Sequence, residues 1–380
     1  MTLQVTTAAT GVARTAHYVI PTGQTQAIPT LLLEPQRTNL CIRSEEFDTW
    51  TQVSQSVTAN TTTAPDGTVT ADTLTASATA GYSERICTFT GDGTKAISVY
   101  FKRGTASQTS FGLRDVTAGA WRYLVSIDWT GTVPSFNATV SGAGTQYPIE
   151  SFRDGWYRIL LACDGIVAAN SNRIRIYADQ AAGVGTTIAW GAQAENAVVP
   201  SSYIKTEGST VTRNADSLYF PFTAAPQAMT VYVRGVELSN PSGTGKAETA
   251  LLSITAASLT DPSFGISKPT SANYAAFHDP ATLTSASVSA AAIVRNDLVE
   301  IRARLLGTGA AAISLTQNGG TETNSVTSTP QALAAAWSDQ RVNLNSYGIS
   351  SAFGQFGFTH VAIAQGEQSR DTMRQLAGVV

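Results

Sequence analysis

The chain has 380 residues, 24 lysines and arginines against 27 aspartates and glutamates, and a formal net charge of −3. That balance excludes the basic surface a nucleic-acid backbone needs. At 43% hydrophobic and 13% charged residues, the chain is also too apolar for disorder. Its abundant Thr, Ser, Ala and Gly point to hydroxyl-covered strands and Gly-rich turns, with length for two or three domains.

In chain order, the first thirty residues show weak periodicity and many Thr and Ala, which predicts an extended arm ordered by whatever receives it. They lack the charged and apolar regions of a secretory signal, and no apolar run in the chain reaches the length of a membrane span. Leu31, Leu32 and Leu33 then load a strand that breaks into Glu34-Pro35-Gln36-Arg37-Thr38-Asn39. Pro35 has no amide hydrogen to continue a ladder, Arg37 offers a fixed fork of donors, and Asn39 is able to hold a turn through its side chain.

Period-two patterning follows almost throughout. In AISVYFKRG, Ile97, Val99 and Phe101 share a face opposite Ser98, Tyr100 and Lys102. WYRILLACDG is apolar enough on both faces for a central strand. NRIRIYAD sets Ile174 and Ile176 against Arg173, Arg175 and Tyr177. Turn signals punctuate these runs at 65–67, 91–93, 153–155 and 183–185. SLYFPFTAAPQ (217–227) carries two prolines and is expected to connect domains. Beyond it, Met229, Val231 and Val233 alternate with Thr230, Tyr232 and Arg234, and Val299, Ile301, Ala303 and Leu305 alternate with Glu300, Arg302 and Arg304. The last dozen residues predict a helix capped by Ser369, with Met373 and Leu376 on one side and Gly378 as its stop. The fold class is therefore all-β: two β-sandwich domains in tandem, an extended N-terminal arm and a short C-terminal helix.

No catalytic constellation is legible. Cys41, Cys87 and Cys163 cannot all pair and are expected as buried free thiols. His17, His278 and His360 lack partners at metal-ligand spacing, so no metal and no cofactor is assigned. SGTGKAE (242–248) departs from a phosphate loop, with Asn240 where a Gly is needed and Ala247 in place of Ser or Thr after the Lys. Asp115, Asp128, Asp154, Asp179 and Glu195 are the acids a glycosidase would draw on, but turn chemistry accounts for most Asp residues here. Sugar rings stack on aromatic side chains, which makes Tyr82, Trp121 and Trp129 the candidate glycan contacts, while Trp156 is expected as a core plug.

Three stretches carry a family resemblance. LLLEPQRTNLCIRSEEFDTW (31–50), DGWYRI (154–159) and WGAQAENAVVPSSYIKTEGSTVTRNAD (190–216) resemble, in this order, segments of bacteriophage head-spike and tail-fibre virion proteins with a carbohydrate-binding-module-like jelly roll. The resemblance implies an anchoring arm over 1–30, a jelly roll over 31–216, a linker over 217–227 and a concanavalin- or laminin-G-like sandwich over 228–380. Glu34, Pro35, Arg37, Asn39, Arg213 and Asp216 would form a structural latch, with Glu34 or Asp216 accepting from Arg37. The implied function is that of a non-enzymatic structural protein on the outer surface of a phage particle, made in the host cytoplasm. It would be a spike, fibre or decoration on capsid or tail that contacts host-surface glycans. Its implied partners are other virion proteins, reached through the arm, and two further copies of itself in a homotrimer, with no nucleic acid and no membrane span. The alternative is a tailspike-type glycan depolymerase or a carbohydrate-binding lectin module.

Overall fold

The computed structural model describes residues 15–19, 28–34, 36–214, 218–222, 228–237, 249–255, 262–268, 273–278, 284–289, 297–308, 310–324, 340–344 and 356–379. It divides into two compact units: Arg37–Asn214 form the first, and the described residues before Arg37 and after Asn214 belong to the second.

The first unit is a β-sandwich of antiparallel sheets. One sheet runs Ser135–Gly142, Ala120–Asp128, Gln108–Asp115, Asn172–Tyr177, Tyr82–Ile86, Thr51–Val53. The other runs Gly144–Gln146, Trp156–Ile166, Gly93–Arg103, Thr186–Glu195, Ala71–Ala76, Gln55–Thr62, with Glu150–Ser151 also on Trp156–Ile166. Alternation explains the core between them: Ile174 and Ile176 from NRIRIY, Phe111 and Leu113 from QTSFGLRD, and Ile97, Val99 and Phe101 from AISVYF are buried together. Each such side chain contributes roughly 1.5–3 kcal/mol of burial. Phe101 and Phe111 meet edge to face at 5.8 Å.

Ser98 and Tyr100, expected on a polar face, are instead 0% and 4% exposed. A second apolar layer explains this: Tyr100, Trp156, Trp190 and Tyr203 cluster outside the sheet, with Trp190 and Tyr203 centroids 4.6 Å apart. Trp156 is the core plug of this layer, its indole N–H donating to the Thr63 carbonyl at 3.0 Å. The turn at 153–155 brings it there through Asp154 and Gly155, both at positive φ.

The second unit is also built of antiparallel sheets. One runs Thr15–Val19, Ile28–Leu33, Phe356–Gln365, Met229–Glu237, Leu298–Leu305, Ala311–Gln317, Thr323–Asn324. The other runs Leu218–Phe222, Gln340–Leu344, Thr249–Thr255, Pro262–Lys268, Asn273–His278, Thr284–Ser289. Two expectations meet a different arrangement here. Thr15–Val19 and Ile28–Leu33 are paired strands where an extended arm was expected, and Leu31 pairs with Phe358. Leu218–Phe222, read as linker, pairs residue for residue with Gln340–Leu344. Pro221 at the edge of a sheet is compatible with strand structure because an edge position need not donate on both sides. Residues 223–227, the rest of that stretch, lie outside the described residues, as does 242–248.

The helix Arg370–Leu376 roofs the polar face of the first of these sheets. Ser369 caps it, its hydroxyl accepting from the Thr372 N–H at 3.1 Å. Gly378, at φ +73°, ends it, with its N–H on the Gln375 carbonyl. Met373 is buried against Tyr232, which accounts for a tyrosine at 0% exposure where alternation pointed outward. Leu376 does not join Met373; it is 61% exposed. Arg370 donates twice to the Glu300 carboxylate, and Arg302 donates to the Gln368 carbonyl, fixing the helix to the outward charges of VEIRARL.

Candidate functional site

The first place where sequence-marked residues meet is a seam between 37–50 and 190–213. Arg37–Asn39 pairs antiparallel with Val211–Arg213. Asn39 is 0% exposed and spends its whole amide on backbone. Its Nδ2 donates to the carbonyls of Ala192 (3.0 Å) and Ile204 (2.7 Å), and its Oδ1 accepts from the N–H groups of Cys41 and Ala194, both at 3.0 Å. The Ser44 hydroxyl lies 2.5 Å from that of Tyr203 and accepts from the Thr206 N–H at 2.9 Å. Tyr203 also donates to Glu45 (3.1 Å), whose other oxygen pairs with Lys205 at 3.0 Å. Burial raises the Glu45 carboxyl above its ordinary range, opposed by Lys205. Arg213 donates to the Ser202 carbonyl at 3.2 Å, and Glu34 is buried at 1% exposure. Pro35 and Asp216 lie outside the described residues. Asn39, Ser44 and Tyr203 are turned to backbone or to a neighbouring side chain, which is the chemistry of a fastening.

The second place is the outward face of the sheet that contains Asn172–Tyr177. Register lays its residues out in rows. Arg173 lies opposite Arg114, and Arg114 opposite Trp121. In the next row Glu84, Arg175, Gly112 and Leu124 are successive partners. In the third, Tyr177, Ser110 and Ser126 follow one another, with Tyr82 beside Tyr177 at 5.7 Å between centroids. Trp121 and Tyr177 approach to 6.1 Å, diagonally over Gly112, which supplies no side chain to separate them. The Arg175 guanidinium lies 4.0 Å from the Tyr82 ring centre and 5.8 Å from that of Trp121, and Arg114 lies 5.5 Å from Trp121. Glu84 is held between Arg173 and Arg175, at 2.5 Å from the latter. Burial raises the Tyr177 hydroxyl, while its hydrogen bond with Arg175 pulls the other way. Tyr82 and Trp121 stay half-buried, whereas Tyr177 between them is 7% exposed.

Of the three aromatic residues named from sequence, Tyr82 and Trp121 thus meet on one face. Trp129 does not, and its expected role is corrected: it is 2% exposed in the core, its indole N–H donating to Thr109 at 2.9 Å. Thr109 precedes Ser110 and points to the opposite side of the sheet, so proximity to a loop misplaced the ring. Tyr177, Arg175, Arg114 and Glu84 are the additions. Alternation in NRIRIYAD already put Arg175 and Tyr177 on an outward face; only cross-strand register joins them to Tyr82 and Trp121.

The acids considered for catalysis are mostly acceptors in turns. Asp115 binds the Ala118 N–H, Asn170 and Arg122. These bonds outweigh its burial and hold its carboxyl below the ordinary range. Asp128 accepts from the Thr130 N–H, Asp179 from those of Ala181, Ala182 and Gly185, and Glu195 from the N–H and hydroxyl of Ser201. Among the described residues, no group of three or more His, Cys, Asp or Glu side chains is placed to hold a metal ion, and no helix is long and apolar enough to cross a membrane. Cys41, Cys87 and Cys163 are buried free thiols.

No family model matches the chain, and no curated protein matches it. Among solved structures it is similar to a truncated AlyQ with CBM32 and alginate lyase domains, at 10% identity over 84% of this chain and 98% of that one, with a TM-score of 0.25. A superposition that loose carries nothing of that protein's activity to this chain.

Proposed function

We propose that this protein is a structural component of a bacteriophage particle, displayed on its outer surface as a spike, fibre or decoration, and that its first sandwich contacts host-surface glycans. The observation that carries the glycan contact is the convergence of Tyr82, Tyr177 and Trp121 on one outward sheet face, interleaved with arginines. Of these rings, the half-buried Tyr82 and Trp121 offer apolar surface to the C–H face of a sugar, with the buried Tyr177 packed against both, and guanidinium groups offer donors to its oxygens. The virion role draws on the resemblance of 31–50, 154–159 and 190–216 to phage spike and fibre proteins. The seam supports it as well, since the first and last of these stretches serve there as fastening rather than as reactive groups. A depolymerase is less well supported. Hydrolysis needs a pair of carboxylates flanking the bound sugar, whereas the aromatic face carries Glu84, which two arginines already hold. Weak contacts of this kind gain strength through repetition in a homotrimer on a particle.

Antibody–gold labelling of purified particles tests the reading. Label on capsid or tail is the expected result, and unlabelled particles from a lysate that contains the protein would overturn it. Light scattering of the purified protein tests the trimer, with a monomer mass as the contrary result.

A further inference from the structure

We infer that the face formed by Tyr82, Tyr177 and Trp121 takes an acidic glycan, a saccharide bearing carboxylate or sulfate, and that Arg114 is the residue that reads its charge. The inference rests on the glycan reading above. Arg114 and Arg173 are directly opposed across two strands, a like-charge pairing that disfavours the sheet unless an anion lies between them. The face holds one carboxylate, Glu84, and its two oxygens are taken by Arg173 and Arg175. Arg114 donates to the Gly119 carbonyl at 2.6 Å and lies against the Trp121 ring. Among the described residues no carboxylate pairs with it, and most of its five N–H donors remain for a ligand. Three guanidinium groups against one carboxylate leave the face positive on a protein of net negative charge.

Tyr82 and Trp121, half-buried and each packed against the buried Tyr177, are the two rings a sugar chain would meet. A single-stranded nucleic acid also stacks on rings and pairs with arginines, and it is the competing outcome of the test.

The experiment is calorimetric titration of the full protein with a panel of uronate, sialate and sulfated oligosaccharides. Each is matched by its carboxyl-reduced or desulfated counterpart, with oligo-dT alongside. An acidic member is expected to bind at least tenfold tighter than its neutral counterpart at low salt. Arg114→Gln should erase that preference, weakening the acidic member at least fivefold more than its neutral counterpart, and Trp121→Ala should weaken both alike. Unfolding midpoints of the two variants exclude misfolding, and Arg114→Lys should restore part of the preference. Equal binding of acidic and neutral members, or a preference that survives Arg114→Gln, overturns the inference and leaves the glycan reading standing. Binding of neither overturns both, and tighter binding of oligo-dT overturns them in favour of nucleic acid.

Discussion

Asn39 shows how much a single side chain can hold. Its four backbone partners come from three separate stretches of chain, and substitution by Ala would leave two carbonyls and two N–H groups buried and unpaired. At roughly 1 kcal/mol or more for each, Asn39→Ala is expected to lower stability by about 4 kcal/mol. Asn39→Asp should be no better, since it turns an oxygen toward the Ala192 and Ile204 carbonyls. Urea unfolding followed by tryptophan fluorescence measures both. Asp72 gives a pH-dependent counterpart. Burial raises its carboxyl to about 6, against the pull of the Asn60 and Phe47 N–H groups that it accepts. A carboxyl raised in the folded state contributes stability that is present below its unfolded pKa and is lost as pH rises through about 6. Allowing for screening, the loss between pH 4 and 7.5 is about 2 kcal/mol. Asp72→Asn should therefore gain on the parent by that amount over the same interval, and unfolding midpoints at the two pH values decide it. The sequence announced Asn39 by its place after a proline-broken strand. Nothing local announced Asp72, because its partners are backbone groups 12 and 25 residues away.

At the scale of elements, alternation located nearly every core face, and it failed where a second layer covers the outer side. Tyr100 is buried by Tyr203 and Trp190, and Tyr232 by Met373, for reasons that lie far along the chain. Trp129 and Trp121 illustrate the same limit: both sit near strand ends, and only register with Thr109 and Arg114 separates a core ring from a surface one. The aromatic face depends on Gly112, where an added Cβ would fall 2.1 Å from the Tyr123 carbonyl oxygen. Gly112→Ala should accordingly cost about 1–3 kcal/mol and disturb binding at the face, as thermal unfolding and glycan titration would report. At the other end of the chain, Ser369→Ala removes the cap of a seven-residue helix and should cost about 1 kcal/mol, read as earlier deuterium exchange over Arg370–Leu376.

At the scale of the molecule, the two-sandwich plan is readable from alternation and punctuation, whereas the chain's route through it is not. Propensity cannot say with which distant strand Ile28–Leu33 pairs, and the pairing with Phe356–Phe358 makes the second unit discontinuous in sequence, with Arg37–Asn214 set into it. The first unit, contiguous and with its own core, should fold when expressed alone as residues 37–214. Residues 215–380 without the N-terminal strands should lose cooperativity, because Phe356–Gln365 would have an uncovered edge beside it. Thermal unfolding of the two fragments, with and without residues 1–36, distinguishes them.

That discontinuity also sets a timetable at the ribosome. Ile28–Leu33 is synthesised roughly 330 residues before Phe356–Phe358, at about 5–20 residues per second. For tens of seconds a strand rich in leucine waits in the nascent chain while the inserted sandwich completes itself. The partner strand it waits for is also where a neighbouring nascent copy could dock by exchange, so co-translational crowding on polysomes, rather than dilution after release, would govern whether this protein begins life singly or already intertwined.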